Sequence, residues 1–164
     1  MNYNKLDKNA KKSWVISRGI AAVIITAILL GVKWFFTDKI HVKFFINGSF
    51  YINVIIGIII LFSVVDFILY PFIEYAQWKY IITNDKVEFS EGIYYIKTTI
   101  IPIVRIQHIK INQGPINKIL NLADVHMYTA GGEHQIPNLS IEKANEISEY
   151  LKDKIKEKVD ENDR

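Results

Sequence analysis

Residues 50–73 read FYINVIIGIIILFSVVDFILYPFI, with Asp66 as the one charged side chain. The β-branched residues would favour a strand in water, but so long an apolar run exceeds any soluble strand. As a helix it rises about 36 Å, enough to cross a hydrocarbon core about 30 Å thick with some tilt. In lipid a helix satisfies its own backbone, so length decides for a transmembrane helix.

A second apolar run lies upstream. Residues 19–32, GIAAVIITAILLGV, carry no charge but cover only about 21 Å as a helix. The flanks complete the span. Trp14, Val15 and Ile16 precede Arg18, and Trp34, Phe35 and Phe36 follow Lys33. Arg and Lys at helix ends snorkel to the headgroups, where Trp also prefers to sit. A hairpin of spans at about 14–36 and 50–73 follows, with Trp14 and Trp34, and later Trp78, as interface anchors. The rival is a cleaved signal peptide, but no small-x-small site follows Gly31, where Lys33 and bulky aromatics come instead.

The whole chain has 164 residues, half of them hydrophobic, no cysteine, and a formal charge of +3 from 20 basic and 17 acidic side chains. Residues 1–73 are net +5 and residues 74–164 net −2. Apolar residues lie in two long runs in the first part and alternate with polar ones in the second, which together with the charge excludes a uniformly water-soluble globule and a strongly basic nucleic-acid binder. Without cysteine there are no disulfides, thiolate metal sites or cysteine nucleophile. Lys5, Lys8, Lys11, Lys12 and Arg18 stand against Asp7 before the first span; Lys33, Lys39 and Lys43 stand against Asp38 between the spans. That bias puts the basic tail 1–13, and the large part after the second span, in the cytoplasm of a multi-pass membrane protein.

Inside the spans, Asp66 reads either as an ion or proton site, or as an acid near the cytoplasmic surface that locks the hairpin by facing Arg18. Asn53 is similarly placed near the other end, and Ala27 with Gly31 makes a small-xxx-small pair. The apolar side chains of residues 39–46 between the spans are expected to rest on the membrane interface.

Past Pro71 the apolar period becomes two. Ala76, Trp78, Tyr80 and Ile82 alternate with polar neighbours, the pattern of a strand. Thr83–Lys86 is a turn signal, Val87 and Phe89 lie on a second strand, and Ser90-Glu91-Gly92 marks the next turn. Ile93–Ile101 is Ile-, Tyr- and Thr-rich, as strands are; Pro102 ends or edges it. Ile103–Ile111 resumes with a slip near Gln107-His108, as a bulge would give. Val125, Met127 and Thr129 form a fifth strand, and His134–Pro137 pairs back after Gly131-Gly132. Ser140 is an N-cap, and Ile141, Ala144, Ile147, Leu151 and Ile155 form the stripe of an amphipathic closing helix over a domain of residues 74–158. Residues 159–164 are expected to fray.

No catalytic motif stands out. His-Glu-x-x-His, the P-loop, the nucleophile elbow and the dinucleotide glycine pattern do not occur. His108, His126 and His134 fall on neighbouring strands, but their spacing is irregular for zinc. Arg105 and Gln107 are the polar pair of most interest. At i and i+2 they share one strand face unless the bulge intervenes, offering a partner or ligand edge with a guanidinium fork. Alternatively, Arg105 pairs with an acid such as Glu88. Lys79, Lys86 and Lys97 could form a juxtamembrane patch for anionic lipid, although this half of the chain is net acidic.

Gly92 before the third strand, Pro102-x-x-Arg105-Ile106-Gln107, the Gln113-Gly114-Pro115-Ile116 turn and Tyr128-Thr129-Ala130-Gly131 occur in an order that resembles bacterial PH-domain-containing membrane proteins of the YdbS-like kind. The resemblance covers about residues 12–156. It implies a two-helix transmembrane hairpin and then an α+β PH-like domain: an antiparallel seven-strand split barrel capped by a C-terminal helix. It also implies a non-enzymatic subunit in the bacterial cell membrane, without cofactor or nucleic acid. The implied partners are membrane lipids and a longer membrane protein with repeated PH-like domains, with a homo-oligomer compatible. Its expected setting is envelope stress or resistance to membrane-active agents. An anionic-lipid sensor and an Asp66-dependent transport or enzyme component acting as an oligomer are the alternatives.

Overall fold

The computed structural model describes residues 3–41, 43 and 47–162. The chain divides into two units, residues 14–72 and residues 3–13 with 73–162. In the first unit lie most of α1 (Ala10–Trp34), a π turn over Phe35–Lys39 and most of α2 (Ser49–Gln77). Both helices are long and apolar enough to cross a membrane. Val23, Leu61 and Phe62 are each more than 60% exposed, a surface that calls for lipid rather than water as solvent. Val42 and Phe44–Ile46, part of the connection expected on the membrane interface, lie outside the described residues.

α2 continues past Pro71, which is buried inside it, and takes in Ala76 and Gln77. The expected first strand is shortened accordingly, to β1 (Lys79–Ile82). A proline removes one backbone bond and bends a helix but does not end it where neighbouring turns hold.

Six strands follow in two three-stranded antiparallel meanders. β1, β2 (Lys86–Glu91) and β3 (Lys97–Pro102) form the first. β4 (Ile106–Asn112), β5 (Leu122–Thr129) and β6 (Gly132–Ser140) form the second. The six strands legible from alternation are thus present, but the seventh implied by the resemblance is not among the described strands. The outer edge of β1 is instead paired at one residue by Asn4, whose N–H donates to Tyr80 O at 2.7 Å and whose carbonyl accepts from Tyr80 N at 2.9 Å.

Inward side chains follow the period of two. Tyr80, Val87, Phe89 and Ile101 from the first sheet, and Val125, Met127 and Ile136 from the second, are buried. Trp78 is 2% exposed and stacks on Phe89 at 5.6 Å, so it belongs to this core and not to an interface belt. α4 (Ile141–Asn162) starts on Ser140, whose Oγ accepts from Lys143 N at 3.3 Å. It buries Ala144, Ile147 and Leu151 across β4, β5 and β6. Tyr150 OH donates to Asn84 Oδ1, and Lys158 Nζ to Asp85 Oδ1, each at 2.8 Å, so α4 also holds the β1–β2 turn of the other sheet. The Lys158 hydrogen bond, then its charge, holds the Asp85 carboxyl below its ordinary pKa. Helical backbone is described to Asn162, and residues 163–164, the end of the tail expected to fray, lie outside the described residues.

Residues 3–13, read as a basic tail, are part of this domain. Leu6, Ala10 and Ser13 are buried, and Asp7 N donates to Asn138 O of β6 at 3.2 Å. The segment therefore touches the edge strand of each sheet, β1 through Asn4 and β6 through Asp7.

The turn Gln113-Gly114-Pro115-Ile116 has a structural reason. Gly114 precedes a one-turn helix, α3 (Pro115–Ile119), and Pro115 takes a first-turn position where no N–H is needed. Gln113 Nε2 bonds Leu122 O at 2.7 Å. α3 then presents Asn117, which accepts from Ser13 Oγ at 2.6 Å and donates to both Asp124 oxygens at 3.2 Å. Asp124 Oδ1 also accepts from Asn138 N at 2.7 Å.

Candidate functional site

β3 ends at Pro102, and a 3-10 turn, Ile103–Arg105, carries the chain over to β4 in the other sheet. Ile103 is fully buried, and its N–H bonds Asp85 O at 2.9 Å. Pinned there, the turn throws Val104 and Arg105 outward. The pairing of β4 with β5 slips between Ile106 and His108, the expected bulge. Gln107 is therefore turned out of regular register beside Arg105.

The result is a cleft of about 500 Å³ lined by β3, the turn, Gln107 and the Thr129–Gly131 hairpin. Arg105 and Gln107 both line it, although Arg105 sits on the turn and not on the strand. Ile100 and Val104, each 55% exposed, supply apolar rim. β3 and β4 are edge strands of their sheets among the described residues. Unpaired edges offer N–H and C=O groups to an added strand.

Glu88 does not pair with Arg105. Its carboxylate takes Lys86 Nζ and Tyr3 OH, each at 2.7 Å. These bonds, Lys86 first and Tyr3 second, hold Glu88 below its ordinary pKa. Sequence reasoning missed Tyr3 because nothing local links residues so far apart. Of the three lysines, Lys79 and Lys86 both bear on the Glu88 carboxylate, while Lys97 lies opposite Glu91 at the end of β2. Lys79 sits 4.6 Å from the Tyr3 ring centroid.

The histidines separate by strand period. His108 and His126 share the outer face of the second sheet. His134 pairs with Met127 and lines the cleft. On the outer face His108 stacks on Tyr128 at 4.2 Å, and Lys110 Nζ lies 5.1 Å from the same ring. His126 Nδ1 and Glu133 Oε1 are hydrogen-bonded, and Tyr128 OH donates to Glu133 at 3.1 Å. The His126 bond is the main cause of the lowered Glu133 pKa; burial, then the bond to Glu133, raises Tyr128. This is a satisfied polar ladder, and its members are committed to one another.

In the helical unit, Arg18 and Asp66 line one cavity of about 390 Å³ with Ser63, and the Arg18 guanidinium lies 4.6 Å from the Tyr70 ring centroid. Lys33 Nζ donates to Asn53 Oδ1 at 2.7 Å, a second polar tie between α1 and α2. Ala27 lines the apolar groove between the helices, but Gly31 has nothing within 4 Å of a would-be Cβ; Gly19, 4.0 Å from Phe67, faces α2 instead. Trp34 is 55% exposed, with Lys39 Nζ 5.6 Å from its ring centroid; Trp14 is half-buried.

A sequence profile of the bacterial PH domain matches residues 15–155. The UPF0699 transmembrane protein YdbS of Bacillus subtilis (strain 168) is 26% identical over 149 residues, covering 90% of this chain and 89% of that protein. No solved structure matches.

Proposed function

Since the chain belongs to the bacterial PH-domain family and is a YdbS-like membrane protein, we propose that it is a membrane-anchored docking subunit. The hairpin holds the strand domain at the cytoplasmic face of the bacterial cell membrane. There the domain assembles with a second membrane protein, a longer one with repeated PH-like domains. We read the subunit as non-enzymatic, which its family supports, and place the assembly in envelope stress or resistance to membrane-active agents.

One observation carries the docking reading: the cleft between the two sheets, with two open strand edges and exposed Ile100 and Val104 beside Arg105. Apolar rim residues supply burial, and an arginine fork selects carboxylate or backbone acceptors. Anchoring both partners in one membrane raises their effective concentration, so a modest cleft suffices. The hairpin topology is supported by residues 3–13 and 73–162 folding as one unit. A chain that leaves a unit as α1 and returns to it as α2 crosses twice or not at all. The basic residues ahead of the first span favour the cytoplasm for that unit.

The test is detergent-solubilised co-purification of the full chain with the longer PH-repeat protein. Ile100→Asp is expected to lower the retained partner at least tenfold, about 1.4 kcal/mol, with Arg105→Glu as the second variant. A wild-type chain recovered strictly alone, or retention unchanged in both variants, contradicts the reading.

A further inference from the structure

We infer that the β2–β3 loop is a second membrane contact, in which Tyr94, Tyr95 and Ile96 seat in the headgroup–acyl boundary of the leaflet where α2 ends. The sequence favours a strand through these residues, yet β3 begins only at Lys97. Gly92 explains the difference. At φ +116° it turns the chain so tightly that a Cβ there would lie 2.0 Å from Tyr95 O. Strand geometry is thereby broken, and three large side chains project in succession, Tyr94 83%, Tyr95 89% and Ile96 67% exposed. Consecutive exposed apolar residues at a loop tip mark an interaction site on a soluble surface.

The occupant follows from where the loop is rooted. Gln77 Nε2 donates to Ile93 O at 3.2 Å, and Gln77 is the last residue of α2. The apolar run of that helix ends at Ile73, so Gln77 lies about 6 Å further along the axis, roughly one turn. A loop tied to that point is within reach of the interface. Its residue types suit that layer: tyrosine is enriched at the membrane–water boundary, and isoleucine gains from burial just below it. Lys97 next in the chain, exposed, adds attraction to lipid phosphate. The inference uses the membrane span of α2 and is independent of the docking cleft.

The absence of cysteine makes a direct test available. Tyr95→Cys and, separately, Ile96→Cys carry a nitroxide in the full chain reconstituted into phosphatidylcholine–phosphatidylglycerol vesicles, with Asn145→Cys on the exposed face of α4 as reference. Oxygen collects in the bilayer and a nickel chelate in water. The oxygen-to-nickel collision ratio is expected above one at positions 95 and 96 and below one at 145. A water-like ratio at both loop positions overturns the inference. So does low accessibility to both relaxants, which would mean that a protein, a second copy included, covers the loop.

Discussion

Replacing Ala10 by aspartate is expected to unfold the strand domain, although Ala10 lies more than sixty residues upstream of its first strand. Local propensity argues the other way, since an acid in the first turn of a helix complements the macrodipole. Ala10 opens α1 and is fully buried in the domain. A carboxylate forced there without a partner costs several kcal/mol, against a total stability of about 5–15 kcal/mol. Leu6→Ala, at a site 4% exposed, is the milder companion and is expected to cost about 2–3 kcal/mol. Both are measured by urea titration of the detergent-solubilised chain, with hydrogen exchange at Tyr80 N–H as the local readout. Native protection of β1 and β6 in Ala10→Asp would show that the first residues are only a tail.

Asp124→Ala is expected to be the most damaging loss of a polar side chain, about 2–4 kcal/mol. Asp124 holds Asn138 N at 2.7 Å and both bonds from Asn117, which in turn receives Ser13 Oγ. Removing the acid strands the donors of α3 and β6 in a partly buried site, and unsatisfied buried donors cost more than the bonds gain. Asn138 needs this support particularly, because its backbone sits at φ +51°. The urea midpoint of Asp124→Ala should fall, with Asn138 N–H losing protection first. A midpoint unchanged from wild type contradicts the network's role.

Much of this architecture was legible in the residues because it rests on local periodicity. Run length and polarity identified both helices, alternation identified six strands, and the 3–4 stripe after Ser140 identified α4. The bulge at Gln107 showed itself as a slip in alternation. What stayed hidden depends on distant contacts. Leu6 and Ala10 look like any residues of a charged tail until β1 and β6 are placed beside them. Trp78 reads as an interface aromatic because it follows a span, and only Phe89, across the sheet, shows it to be core. The last turn of α2 stayed hidden because Ala76, Trp78, Tyr80 and Ile82 alternate as a strand does, and only the helix's own backbone bonds carry it on to Gln77. In the candidate cleft, Arg105 and Gln107 were found for a reason that changed. The expected shared strand face is replaced by a turn and a bulge that bring both to one opening.

In the proposed topology the chain crosses the membrane twice and returns to the domain it started from. Single cysteines at Lys8, Asn47 and Asn145, treated in intact cells with a membrane-impermeant maleimide, test this directly. The expected result is labelling at position 47 alone, with positions 8 and 145 reacting only after the membrane is permeabilised. Labelling of 8 and 145 from opposite sides, or of all three from outside, would contradict it.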